Sequence, residues 1–196
     1  MSSSLQTVLG SIAVIMGLFG YVFYVQGIVR GKVKPHSFSW LVWAILTTIA
    51  FFAQITEGGG PGAWVTGVTA LCSYAFAVVG LGASSRTFIT KSDWIFFVAA
   101  LVTIPIWQVT GNPFLSVIII TITDAVAFAP TFRKAYFNPD TENATTYALS
   151  GLKFVVSLFA LTSFTWTTAL YPVSLVIANL AFVVMLVFRR RALKKS

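Results

Sequence analysis

Two ionisable side chains of opposite sign, Asp124 and Lys153, lie deep inside apolar runs of this chain. An ionisable group near the centre of a bilayer costs from about 2.5 kcal/mol upward when unpaired, so neither is filler. Asp124 stands ten residues before Lys134, and Lys153 ten residues after Asn143. At 1.5 Å per helical residue both fall roughly 15 Å from the same membrane edge. A short loop joins the helices that carry them, and this predicts neighbouring helices with an Asp124–Lys153 pair at mid-membrane. Such a pair is either a salt bridge that fixes packing or a site. In a site, Lys153 would hold a carboxylate or phosphate while Asp124 takes a proton.

Other polar residues reach the same depth by the same count. Asn179 is ten residues before Arg189, Ser73 ten before Ala83, and Thr47 ten after Ser37. Singly, such residues are interhelical hydrogen-bond partners; beside a charge pair they become substrate-binding candidates. Trp43 and Trp107 sit deep enough to close a gate or stack on a ring. Trp40, Trp94 and Trp166 fall near predicted boundaries, where aromatic belts form. Gln26 and Gln54 lie near opposite edges and read first as helix-end hydrogen bonders.

The elements that must position these groups are seven apolar helices: Val8 to Val29, Ser37 to Ile55, Ala63 to Ala83, Asp93 to Thr110, Pro113 to Lys134, Asn143 to Phe164 and Tyr171 to Arg189. Glycines and prolines mark the joints at Pro35, Gly58-Gly59-Gly60-Pro61, Gly111-Asn112-Pro113, Pro139 and Pro172. Pro105 lies inside helix four and predicts a kink. Twelve of the thirteen lysines and arginines occupy every second gap or the C-terminal tail. They are Arg30, Lys32, Lys34, Arg86, Lys91, Arg133, Lys134, Arg189, Arg190, Arg191, Lys194 and Lys195. The positive-inside rule then puts the N-terminus outside and the C-terminus in the cytoplasm.

Composition excludes a soluble domain: 57% of residues are apolar and 9% charged, against roughly one quarter charged in soluble proteins. The expectation is one transmembrane domain over 1–196, integral to a bacterial-type plasma (inner) membrane, with helix one retained because Met1 to Gln6 lacks a basic signal-peptide region. The net charge of +8 sits at helix ends, where topology and anionic lipid explain it, so no nucleic-acid partner is expected. Cys72 is the only cysteine and His36 the only histidine, which excludes an internal disulfide and a His-rich metal site. Gly58-Gly59-Gly60 lacks the Gly-Lys-Ser/Thr of a phosphate loop. Asn143-Ala144-Thr145 fits a glycosylation pattern but faces the cytoplasm. No nucleophile, base and acid stand together, so no enzyme and no cofactor is expected.

An internal repeat is visible. Tyr24-Val25-Gln26, Lys34-Pro35-His36-Ser37 and Trp43-Ala44-Ile45 are echoed by Ala129-Pro130-Thr131, Asn138-Pro139-Asp140-Thr141 and Tyr147-Ala148-Leu149. Both copies leave a helix on the cytoplasmic side, so the repeat is parallel: 8–83 and 113–189 as three-helix units, 93–110 as a linker helix. This all-α, seven-helix, three-plus-one-plus-three pattern resembles the PQ-loop and SWEET superfamily of small-solute transporters over nearly the whole chain. That family's Pro-Gln dipeptide is split here: Val25-Gln26 keeps the glutamine and Pro130-Thr131 the proline. Trp40 and Trp43 resemble the W-x-x-W of PnuC vitamin-precursor transporters, which share the fold.

The resemblance implies a central pocket lined by helices two, three, six and seven, with an asparagine on helix seven as ligand; Asn179 matches that position and Ser73 or Cys72 its helix-three counterpart. It also implies alternating access by two rocking bundles, with Pro130 as hinge, Gln26 beside the split motif, and Trp43 and Tyr147 as matched gate residues. The partner would be a small molecule, anionic or zwitterionic. Two other classes stay open: a seven-helix receptor or sensor whose lysine and aspartate serve a bound chromophore, and a scaffold or accessory subunit without a pocket.

Overall fold

A computed structural model describes residues 2–31, 37–82 and 91–193. Lys32, Lys34, Pro35, His36, Arg86, Lys194 and Lys195 lie outside the described residues, as do the side chains of Asp93, Pro130 and Lys134. About 90% of what is described is helical, and no strand occurs among these residues. The helices are α1 (Ser3–Val29), α2 (Ser37–Thr56), α3 (Trp64–Gly82), α4 (Lys91–Thr110), α5 (Pro113–Phe137), α6 (Ala144–Phe159) and α7 (Trp166–Leu193). Short 3₁₀ turns, Gly60–Ala63 and Pro139–Thr141, lead into α3 and α6.

Five stretches are long and apolar enough to cross a bilayer: Ser3–Val29, Ser37–Thr56, Gly60–Leu81, Pro113–Phe137 and Trp166–Leu193. Trp94–Thr110 and Ala144–Phe159 are shorter apolar helices. The chain is a polytopic membrane protein. Its outward faces carry large apolar side chains, among them Ile15, Leu71, Leu81 and Val109, which a bilayer covers and water would not.

Local chemistry sets the ends. Ser2 caps α1 by accepting from the Leu5 N–H at 3.4 Å, and Asn143 caps α6 by accepting from Thr145 at 2.9 Å. Gly111 turns with φ +60°, then Asn112 accepts from the Phe114 N–H at 2.9 Å and Pro113 opens α5, where its missing N–H costs nothing. The expected Phe164 end of helix six and Tyr171 start of helix seven are corrected. Thr165 and Thr168 cap each other reciprocally, the Thr165 N–H donating to Thr168 Oγ1 at 2.9 Å and the Thr168 N–H to Thr165 Oγ1 at 3.3 Å. That arrangement starts α7 at Trp166 and puts Pro172 inside it rather than at its boundary.

Packing order is the same in the two triplets. Helix α3 lies against both α1 and α2, and α7 against both α5 and α6. Between triplets, α1 meets α6, α2 meets α5 and α7, and α3 meets α6 more lightly, while α4 packs on α5 and α2. The expectation that helices five and six neighbour each other is therefore not met: α7 stands between them. The main core gathers Val42, Leu46, Ile49, Ala50 and Ala53 of α2 with Ala100, Val117, Ile120 and Tyr171.

The loops at one end of the bundle are knitted together. Gly58 and Gly60 adopt φ of +71° and +57°, the left-handed region that only glycine enters freely. Their loop meets the residues after α6, with the Thr162 N–H donating to Gly59 O and the Ser163 N–H to Gly58 O, each at 3.1 Å. Gly62 sits so close to Leu161 and Ser157 O that an added Cβ would stand 2.6–2.7 Å from them. We call this the glycine end. The opposite end, which carries Arg30, Lys91, Arg133 and Arg189, Arg190 and Arg191, is the basic end.

Candidate functional site

Lys153 is buried, with 4% of its surface exposed. It projects from α6 toward α1 and α3, where its ammonium donates to Thr69 Oγ1 at 3.1 Å and lies 5.0 Å from the centroid of the Tyr21 ring and 4.9 Å from that of Phe154. The negative faces of the two rings attract the cation. Gly17 of α1 makes the space: a Cβ there would stand 3.3 Å from Lys153 Cδ. Tyr21 is hydrogen-bonded to Thr69, and Cys72, half-buried on α3, is within electrostatic reach of the ammonium.

Asp124 faces other partners. It is half-buried on α5, with Trp43 of α2 as its hydrogen-bonding side chain and the fully buried Tyr171 of α7 within electrostatic reach. The expected Asp124–Lys153 pair does not form; the ion pair among the described residues is Arg190–Asp140 at the basic end, 3.5 Å apart. The charges miss because α7 separates α5 from α6. Each occupies a junction of three helices instead, Lys153 at α6, α1 and α3, and Asp124 at α5, α2 and α7. Tyr171 and Tyr21 lie within electrostatic reach of each other between them.

The uncharged candidates each bond a carbonyl of their own helix. Thr47 Oγ1 donates to Trp43 O at 2.7 Å, Ser73 Oγ to Thr69 O at 2.8 Å, and Asn179 Nδ2 to Leu175 O at 2.8 Å. Asn179 packs on Gly151 of α6, where an added Cβ would meet its own Cβ at 3.2 Å. All three are buried. Gln26 is exposed at the end of α1, and the backbone of α5 continues through Pro130.

Trp43 and Tyr147 each belong to a ring cluster on the basic side of the charges. In the first, Trp40 donates to Tyr24 OH at 2.8 Å and packs at 4.8 Å on Phe76 and 5.2 Å on Trp43. Trp40 is thus an interior residue rather than part of an aromatic belt. In the second, Phe182 packs on Tyr147 at 4.2 Å, Phe132 at 5.0 Å and Phe128 at 5.3 Å, and Tyr147 OH donates to Glu142 at 3.1 Å. Each cluster draws rings from all three helices of its triplet. Trp94 and Trp166 are exposed at helix starts, as belt residues are. Trp107 packs against the main core.

Sequence reasoning missed the partners of the charges, Tyr21, Thr69 and Tyr171, and Gln6 at the glycine end, where Gln54, expected as a helix-end hydrogen bonder, bonds across the bundle. Gln54 Nε2 donates to Thr168 O at 2.9 Å and Gln6 Nε2 to Leu161 O at 2.9 Å. Proline at 172 has no N–H to give the carbonyl four residues earlier, and that carbonyl belongs to Thr168. Gln54 supplies the missing donor across the bundle. The signal was readable: a proline inside an apolar run marks an orphan carbonyl that a buried amide can satisfy.

Among the described residues no group of three or more His, Cys, Asp or Glu side chains could hold a metal. The surface concavity by Trp94, Ile95, Val98 and Ala99 and the one by Phe164, Thr165 and Trp166 are open and take in neither charge. No protein-family model, characterised protein or solved structure matches the chain.

Proposed function

We propose that the chain is a seven-span transporter of a small solute, with its N-terminus outside and its C-terminus in the cytoplasm of a bacterial-type plasma (inner) membrane. In this reading α1–α3 and α5–α7 are parallel repeats joined by α4. The observation that carries it is the matched packing of the triplets, with Lys153 and Asp124 at corresponding junctions: α1, α3 and α6 in one case, α5, α7 and α2 in the other. Repeats related in this way favour binding near the bilayer midplane and movement of one unit against the other. The shorter α4 and α6 span with modest local thinning of the bilayer.

The solute site lies between the triplets near Asp124, Lys153 and Asn179, with Ser73 and Thr47 on its walls. Trp43 and Tyr147, in their ring clusters, form the gate on the basic side, and α5 bends near Pro130. Among the described residues no carboxylate stands beside Lys153 to serve as the counter-ion of a chromophore, so that alternative gains nothing. The test is a melting screen on purified protein with sugars, amino acids, carboxylates and nucleosides. One class should raise the melting temperature, and Asp124→Asn or Lys153→Met should remove the rise while the variant still melts cooperatively. Wild-type ligand response in both variants would end the proposal.

A further inference from the structure

We infer that the Lys153 junction is a subsite for a small carboxylate; the inference names the solute class and rests on the transport reading for the anion's way in. An ammonium offers three donors. One goes to Thr69 Oγ1, and that hydroxyl gives its own proton to Val65 O at 2.7 Å. Ring faces of Tyr21 and Phe154 cover part of the remainder. A buried charge needs a paired counter-charge, and none lies in reach among the described residues. The chain has five acidic residues. Glu57, Asp93, Asp140 and Glu142 belong to loops or helix ends, and Asp124 faces Trp43 and Tyr171 at the other junction. The counter-charge comes from outside the chain.

The surroundings narrow the anion. Lys153 is the one cation of the thirteen that lies within the spans, so a monoanion neutralises the junction, whereas a phosphate dianion would bury a net negative charge. The walls are the aromatic faces of Tyr21 and Phe154 and the side chain of Val65, which packs in the same buried cluster as Phe154. They suit the carbon chain of an organic acid better than a bare halide. On the α1 side Gly17 lies against the lysine, where an added Cβ would stand 3.3 Å from Lys153 Cδ and 3.8 Å from the ammonium.

Cys72 reports occupancy, since it is the sole cysteine and senses the same ammonium. The full-length protein is alkylated with N-ethylmaleimide in the presence of butyrate, neutral butyramide, chloride or inorganic phosphate at one ionic strength. Butyrate at ten times its dissociation constant should slow the reaction about tenfold, the other three should not, and Lys153→Met should abolish the effect. Equal protection by butyramide, chloride or phosphate, persistence in Lys153→Met, or no protection by butyrate would each overturn the subsite. The butyrate and butyramide comparison needs no variant, so it stands even where Lys153→Met fails to fold. Protection without flux in vesicles would retain the subsite and remove the transport reading; flux of a neutral solute without protection would do the reverse.

Discussion

The glycine end and the basic end of the bundle are fastened in different ways. At the glycine end the bonds run from one triplet to the other: Thr162 to Gly59, Ser163 to Gly58, Gln6 to Leu161 and Gln54 to Thr168. At the basic end the described bonds stay within a triplet. Trp40 holds Tyr24 and Ser37 holds Ala77 O in the first, while in the second Arg190 donates to Pro139 O and Glu142 O and Arg189 to Tyr136 O. The difference teaches which motion is cheap. Parting the triplets at the basic end separates apolar and aromatic surfaces and strains polar bonds only at mid-depth, Lys153 to Thr69 and Trp43 to Asp124, whereas parting them at the glycine end strands buried backbone carbonyls.

The largest test of this contrast is a lock across the glycine seam. A Cβ built on Gly58 lies 3.6 Å from Ser163 Cβ, inside the separation a disulfide needs. On the transport reading, and with Cys72→Ser, the pair Gly58→Cys and Ser163→Cys, strained at position 58 where φ is +71°, should still crosslink on mild oxidation and abolish solute flux, and reductant should restore it. Undiminished flux in the oxidised protein would mean that the seam is a fixed pivot.

Next in size is Phe182→Ala, which empties the centre of the second ring cluster. Truncating a buried phenylalanine costs about 3–5 kcal/mol, read as a fall in melting temperature. Crosslinking between positions 58 and 163 should be unaffected, because Phe182 fastens only its own triplet; loss of the crosslink would break the comparison. Gln54→Leu should cost about 1–3 kcal/mol, the penalty for leaving a buried carbonyl unpaired. Gln54 Oε1 already lacks a partner among the described residues, so the loss concerns the donor alone. This variant should lower crosslinking as well as stability, separating it from Phe182→Ala.

Arg190→Gln should have the smallest effect. Its ion pair with Asp140 is exposed, at 31% and 88% for the two side chains, and such pairs contribute at most about 1 kcal/mol. A melting shift beyond that, or any change in the seam, would show that the basic end also couples the triplets.

Much of this was legible in the chain. Apolar runs punctuated by Gly58 to Pro61 and Gly111 to Pro113 located most helices, because turn chemistry is local. Lys153 and Asp124 stood out because charge inside an apolar run has few explanations. Their partners did not, because chain proximity suggested that α5 and α6 touch, while packing inserted α7 between them. The end of α6 was misjudged for a related reason. Phe164 extends the apolar pattern of α6, whereas the seam of Thr162 and Ser163 with Gly59 and Gly58, a contact about a hundred residues away in sequence, holds residues 160–165 out of the helix.

On the transport reading, a bundle stitched near one membrane surface and loose near the other changes its footprint more readily in one leaflet than in the other. Lateral pressure among the lipids around the basic end then acts as a larger load on the conformational balance than pressure in the opposite leaflet. The proposed transporter should therefore run at different rates in bilayers of equal thickness that differ only in the shape of the lipids in the leaflet around the basic end.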